Sequence, residues 1–393
     1  MLTKRRTNCL KGVNLGCWLL MEGYILGGKN IAESQFKEAF EKKYGFKELR
    51  NFEKKFRSFY IQESDFKNIA DLGAKVVRVP FNYRLLEKKA YQYDEKGFVY
   101  LDDLFRWANK YQIFVILDLH AAPGSQNCDW HSDSSGKAFL WSDKESRMRT
   151  YCLWEAIVSR YKDQPYLAGY DLLNEPVIGS KSTDCVKNFY KQLIKRIRKI
   201  DSKNIIFLEG DIWAQRIEYL ADLIDDKIEI SVHTYRPLDY SFNFSRFFSY
   251  PGMIEGELWD KDRIYKYLEP YYNFSVRNNV RIFVGEFGIN WRGGYFGETK
   301  WLDDLLTVFD EFDFDYSYWT YKAVSHYAFP DGLYQYLENS PYIARDQNAS
   351  GLETYLKLWG KEKSEIADFW KTDNYHPNRE IIETLRKHFL SSK

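Results

Sequence analysis

Short apolar runs rich in Val, Ile, Leu and Phe recur along the whole chain, and each is followed by a stretch with apolar residues at helical spacing. This alternation predicts repeated strand–helix units around a parallel sheet. Eight runs can be distinguished, at residues 10–15, 76–80, 114–119, 167–173, 205–209, 228–233, 281–286 and 315–319. Eight parallel strands close a barrel, so the fold class expected is α/β, a (β/α)8 TIM barrel. Leu101, Leu104, Phe105 and Ala108 share one helical face, as do Leu153, Ile157, Val158 and Tyr161, and again Leu302, Leu305, Leu306 and Phe309. Residues 378–390 read as a closing helix starting after Pro377 at Asn378.

No Pro/Gly/Ser-rich linker, low-complexity tract or internal repeat divides the chain, so residues 1–393 are expected to form a single catalytic domain. Three segments are too long for plain connectors: 22–56, 121–144 and 327–375. The first is charged and helical in part, the other two are rich in Trp, Tyr, Asp and Asn, and such insertions are expected to form binding loops at the mouth of the barrel, where this architecture builds its sites.

Charge narrows the partner. Fifty-seven Lys and Arg against 56 Asp and Glu leave a net charge of +1, which offers no field for nucleic acid or an anionic membrane. No apolar run approaches the length of a membrane span. The first residues are basic without a following apolar run, and five cysteines (Cys9, Cys17, Cys128, Cys152, Cys185) are irregularly spaced. Both features predict a cytoplasmic protein with reduced thiols. The aromatic fraction of 18% has two readings, core packing or platforms for the apolar faces of sugars.

The chemistry sits at predicted strand ends. Glu175 lies in Leu173-Asn174-Glu175-Pro176 at the end of the fourth strand, and Glu286 in Val284-Gly285-Glu286-Phe287 at the end of the seventh. These strands face each other across the barrel, so both carboxylates reach one mouth. Two carboxyl groups flanking a bond are what glycoside hydrolysis requires. Other strand ends carry Arg78, His120, His233, Tyr235 and Trp319. Arg78, within an apolar strand, needs a buried carboxylate partner.

With these residues in this order the chain resembles glycoside hydrolase family 5, the cellulase family of retaining β-glycosidases. That resemblance implies Glu286 as nucleophile and Glu175 as acid/base. It also implies that Asn174 bonds the sugar 2-hydroxyl, that Arg78 and Tyr235 hold the nucleophile, and that His233 lies beside the acid/base. His120 then lines the same subsite, with Trp319 as its floor. The retaining mechanism predicts carboxyl groups about 5–5.5 Å apart. Segments 12–22 and 121–127 resemble the exo-β-1,3-glucanase branch, which implies that Glu22, Asn127 and Asp133 bind the hydroxyls of a terminal glucose. Cys17 and the inserted Cys128-Asp129-Trp130-His131 depart from that branch. Intracellular β-mannanase-like members are the alternative, so the carbohydrate substrate is gluco- or manno-configured.

No cofactor is expected. His120, Cys128, Asp129 and His131 are metal-ligand types, but lack paired ligand spacing, and no metal site is expected. A carbohydrate-binding barrel without turnover, and a phosphate site at Trp291-Arg292-Gly293-Gly294, are the readings from other classes.

Overall fold

All eight runs form strands: β1 (Lys11–Asn14), β2 (Val76–Asn82), β3 (Phe114–Ala121), β4 (Leu167–Asp171), β5 (Ile205–Glu209), β6 (Ile228–His233), β7 (Ile282–Phe287) and β8 (Asp315–Tyr318). They are parallel and close into a barrel in sequence order, with β8 paired to β1. The structure is a computed structural model that describes residues 9–336 and 351–391. The fold is a (β/α)8 TIM barrel.

Among the described residues ten longer helices accompany the barrel: α1 (Glu33–Tyr44), α2 (Phe46–Tyr60), α3 (Glu63–Asp71), α4 (Glu95–Tyr111), α5 (Lys144–Tyr161), α6 (Asp184–Ile197), α7 (Lys261–Asn278), α8 (Glu298–Glu311), α9 (Gly351–Phe369) and α10 (Arg379–Leu390). The faces predicted on α4, α5 and α8 are buried. Their starts are chemically marked: Asp94 accepts from the Lys96 N–H at 3.0 Å before α4, and Asp143 from the Ser146 N–H at 2.8 Å before α5. Asn378 precedes α10 as predicted, yet its amide donates to Gln335 Oε1 at 3.2 Å rather than capping the helix.

Two of the three long segments are largely helical, the first more fully than the partial helix expected of it. Segment 22–56 is mostly α1 and α2, whose Phe40, Phe52 and Phe56 interlock with Trp359 and Trp370 at ring distances such as 4.9 Å for Phe52–Trp359 and 5.0 Å for Phe56–Trp370. Apolar residues at helical spacing bury more surface against α9 than they could in a loop. Within 327–375, residues 337–350 lie outside the described residues, and α9 takes up most of the remainder. Only 121–144 is largely irregular, with short 3-10 turns at Trp130–Ser132 and Phe139–Trp141. The aromatic surplus is mainly core: Trp18, Trp154, Trp301, Trp359 and Trp370 are almost fully buried. Among the described residues no helix is long and apolar enough to cross a membrane.

Candidate active site

Strand periodicity builds the site in layers. Leu10, Val76, Ile116, Ala168, Phe207 and Phe283 form a separate apolar cluster. Two residues further along the same strand faces come Arg78 after Val76, Asp118 after Ile116, Glu209 after Phe207 and Gly285 after Phe283. The next inward residue of β3 is His120. An apolar floor thus changes within one strand repeat to a charged layer beneath the mouth.

Arg78 is the centre of that layer, with no exposed surface. Its guanidinium lies 3.1 Å from Asp118, 2.9 Å from Asp171, 3.0 Å from Glu209 and 2.8 Å from Glu286. It also donates to Asn174 Oδ1 at 2.8 Å and Asn14 Oδ1 at 3.2 Å. Burial alone would cost several kcal/mol per ion, and this dense pairing is what offsets it. Burial and the nearby Glu209 charge push the Asp171 carboxyl well above the usual range, against the opposing pull of Arg78. Asp118, Asp171 and Glu209 are not among the residues to which the sequence points; an acidic residue on the inward face of an apolar strand is the signal that could have found them.

Glu286 accepts from Arg78 Nη1 at 2.8 Å through one oxygen and from the Tyr235 hydroxyl at 2.9 Å through the other. Burial raises its pKa, but the charges of His233, Arg78 and His120 outweigh that, and it lies below the ordinary glutamate value. Gly285 beside it has no room for a side chain, since a Cβ would stand 2.7 Å from Ser231 Oγ and 2.9 Å from His233 Nε2.

Glu175 has a left-handed backbone, φ 47°, costly for a residue with a side chain. It is held there from both sides. Glu209 Oε2 accepts from its N–H at 2.6 Å, and Asn127 donates to its carbonyl at 2.9 Å. His233 Nδ1 lies 2.8 Å from Glu175 and 3.5 Å from Glu286, while its Nε2 is 3.1 Å from Glu209. Burial opposes protonation of His233, but Glu209 and Glu286 dominate, and it is an imidazolium well above its ordinary pKa. An oxygen of Glu175 and one of Glu286 lie within 4.8 Å of each other.

Above the pair is a cavity of about 370 Å³ lined by Glu22, His120, Trp130, His131, Tyr235 and Trp319 among others. Trp319 stacks on His120 at 5.5 Å and donates its indole N–H to the Tyr24 hydroxyl. His120 Nδ1 is 2.7 Å from Asp118, and its pKa is raised because Asp118 outweighs its burial. Glu22 is 3% exposed, and burial pushes its pKa up to about 8. Phe329, from the segment after β8, meets Tyr24 at 4.8 Å, Trp130 at 5.9 Å and Phe242 at 5.4 Å. These rings form part of the cavity wall.

Asn127 and Asp133 stand elsewhere than expected. The Asp133 carboxylate accepts from Ser34 N at 2.7 Å, Asn82 Nδ2 at 3.1 Å and Arg84 Nε at 2.8 Å, so it ties the 121–144 segment to the barrel rim. Asn127 is fully buried, its amide spent on the Glu175 carbonyl, His131 and the Asp129 N–H. Neither lines the cavity. Local resemblance assigns both to sugar hydroxyls, whereas the inserted Cys128–His131 stretch turns the chain so that Trp130 and His131 face inward instead.

His120, Cys128, Asp129 and His131 do not assemble as a ligand set. Asp129 accepts from Trp213 Nε1 at 2.8 Å and Cys128 is exposed. Among the described residues the ligand-type group that converges is Glu175, His233 and Glu286, where both His233 nitrogens already face carboxylates. Arg292 of the glycine-rich stretch lies between the Tyr240 and Phe296 rings, 4.7 Å from each, rather than at an open phosphate cradle.

The sequence model of cellulase, glycosyl hydrolase family 5, matches residues 38–325. A beta-xylosidase of Phanerodontia chrysosporium is 28% identical over 91% of this chain and 76% of its own. Endoglucanase C of Acetivibrio thermocellus is 28% identical over 70% of this chain and 87% of its own. A probable glucan 1,3-beta-glucosidase A of Aspergillus clavatus is 28% identical over 53% and 51% respectively. With the family match covering most of the barrel, this chain belongs to glycoside hydrolase family 5 and is an enzyme that hydrolyses O-glycosyl bonds in carbohydrates.

Proposed function

We propose that the chain is a retaining, exo-acting β-glycosidase that removes terminal gluco-configured residues from β-linked oligosaccharides. The observation that carries the mechanism is the approach of Glu175 and Glu286 oxygens to within 4.8 Å. Carboxyl groups of retaining pairs stand about 5–5.5 Å apart and those of inverting pairs about 6.5–9.5 Å, and so close an approach of single oxygens, with His233 Nδ1 at 2.8 Å from one glutamate and 3.5 Å from the other, supports the retaining reading. In the first step a Glu286 oxygen attacks the anomeric carbon, the glycosidic C–O bond breaks, and Glu175 gives its proton to the departing oxygen. In the second, Glu175 takes a proton from water, whose oxygen displaces Glu286.

Arg78 and the Tyr235 hydroxyl hold Glu286 ionised and oriented. The His233 imidazolium, in contact with both glutamates, compensates the negative charge that passes from one to the other. Asn174 Nδ2 lies 3.3 Å from His120 Nε2, and the Asn174 amide serves the sugar 2-hydroxyl. Trp319 is the floor beneath the sugar and His120 its flank.

Exo action would follow from the cluster of rings around Phe329 in the cavity wall limiting the cavity on that side. The resemblance of residues 12–22 to exo-glucanases points the same way. The five free cysteines favour a reducing compartment, hence action on imported oligosaccharides. The test is a panel of aryl β-glucoside and β-mannoside with laminari-, cello- and manno-oligosaccharides, following first-formed anomer by NMR and product size over time. Monosaccharide with retained configuration is expected. An inverted anomer would refute the mechanism, a product ladder the exo assignment, and preference for mannosides the gluco assignment.

A further inference from the structure

A second cavity, of about 440 Å³, is lined by residues of α2, of the first turns of α4, and by Leu85 and Lys88 from the connection that follows β2. It shares no lining residue with the cavity at the barrel mouth. Its charge is one-sided: Arg50, Lys54, Arg57, Lys88 and Lys96 line it against two carboxylates, Glu53 and Asp103. Both carboxylates are already engaged. Glu53 is shared by Lys37 at 2.8 Å, Arg50 at 3.2 Å and Arg57 at 3.2 Å, and Asp103 pairs with Arg106 at 2.7 Å. Arg50 also reaches Asp94 at 3.5 Å. Among the described residues Lys54, Lys88 and Lys96 form no ion pair, and Lys88 Nζ donates to the Arg84 carbonyl at 3.2 Å.

Cations crowded in a concave cleft without counter-charge repel one another. Desolvation lowers the Lys88 pKa to about 8, and Arg50, Arg57 and Lys37 push it the same way against the pull of Glu53. Arg57 is 5% exposed, lies over the Tyr100 ring at 5.5 Å, and turns its Nη2 to Glu53 at 3.2 Å and Glu33 at 3.9 Å. Among the described residues its Nε and Nη1 meet no acceptor. A guanidinium with spare donors beside three unpaired ammonium groups matches a phosphate dianion, whose oxygens accept from several cations at once. The concave wall focuses their field, and the volume is that of a small-molecule site. Leu85, Val99 and Tyr100 supply an apolar side for the rest of such a molecule.

We propose that this cleft is a second ligand site, separate from the barrel mouth, which binds a phosphorylated small molecule through Arg57, Lys54, Lys88 and Lys96.

The test is isothermal titration calorimetry of the full chain with inorganic phosphate and with glucose 6-phosphate, at about 0.15 M sodium chloride, where loose surface attraction is screened. Saturable binding of one equivalent is expected for each, with inorganic phosphate displacing glucose 6-phosphate. Lys88→Gln should weaken both by about tenfold, the loss of one charge-assisted hydrogen bond, and the double variant Lys54→Gln with Lys96→Gln by at least as much. All three lysines are exposed, so these variants keep the fold, and kcat/KM on an aryl β-glucoside should not change. Absence of saturable binding, or undiminished binding in both variants, would overturn the proposal. So would displacement of glucose 6-phosphate by glucose rather than by phosphate, which would place it at the barrel mouth, or binding of heparin with neither small phosphate. Glucoside hydrolysis would stand in each of those cases, whereas its failure would overturn the glycosidase reading and leave the calorimetric result as it is.

Discussion

Replacing Glu22 by Gln keeps the shape of a side chain that is 3% exposed but removes its charge. Burial lifts this carboxyl from its ordinary 4.5 to about 8 in the folded protein. In an unfolded chain it ionises near its ordinary value, so between those two pH values the native state holds a proton that the unfolded state has released. Stability from this group therefore falls as pH rises through that window, and levels off above pH 8. A tenfold change in proton affinity is worth about 1.4 kcal/mol, so a rise of this size amounts to a total on the order of 5 kcal/mol. Glu22→Gln lacks the dependence. Chemical unfolding of both proteins, followed by tryptophan fluorescence at pH 5, 6.5 and 8, isolates the effect because all other groups cancel in the difference. The variant is expected to gain on wild type by about 1.4 kcal/mol per pH unit across the window. A difference that does not change with pH would refute the reasoning, since it would mean that Glu22 is ionised at the same pH folded and unfolded.

Glu286→Ala should lower kcat by about 10⁴-fold or more on every substrate. Glu175→Ala should cost about 10²–10⁴-fold on oligosaccharides but much less in the first, glycosylation step with a dinitrophenyl glycoside, measured as a burst, because such a leaving group departs without a proton. The acid limb of kcat/KM against pH should fall below the ordinary glutamate value: Glu286 has a lowered pKa, so activity persists as pH drops and is lost only when the depressed value is crossed. Asp133→Ala should leave KM for short glycosides within about twofold but destabilise the protein by about 1–3 kcal/mol in urea unfolding, since three donors lose their acceptor. Arg78→Met should destabilise by about 3–5 kcal/mol in the same assay, leaving several buried carboxylates without their cation.

Strand number, strand ends and the two glutamates were legible in the amino-acid order because they depend on local period. An apolar run ending in a polar residue becomes a barrel strand with that residue at its mouth, as at Asn174-Glu175 and Glu286. The helical faces of α4, α5 and α8 were legible for the same reason. What tertiary structure decided is where long-range partners meet. Arg78 and Glu286 are 208 residues apart in sequence, and no local pattern shows that Asp118, Asp171 and Glu209 converge on the same guanidinium. Segments 22–56, only partly helical by its pattern, and 327–375 read as insertions because their apolar faces are satisfied by each other, through α1, α2 and α9, rather than by a neighbouring strand. Asn127, Asp133 and Trp130 lie within a few residues of one another, yet the first two are consumed as internal hydrogen-bond partners while Trp130 lines the cavity. Within a turn, a side chain's destination is set by which distant donors and acceptors reach it first, and that is a property of the closed barrel.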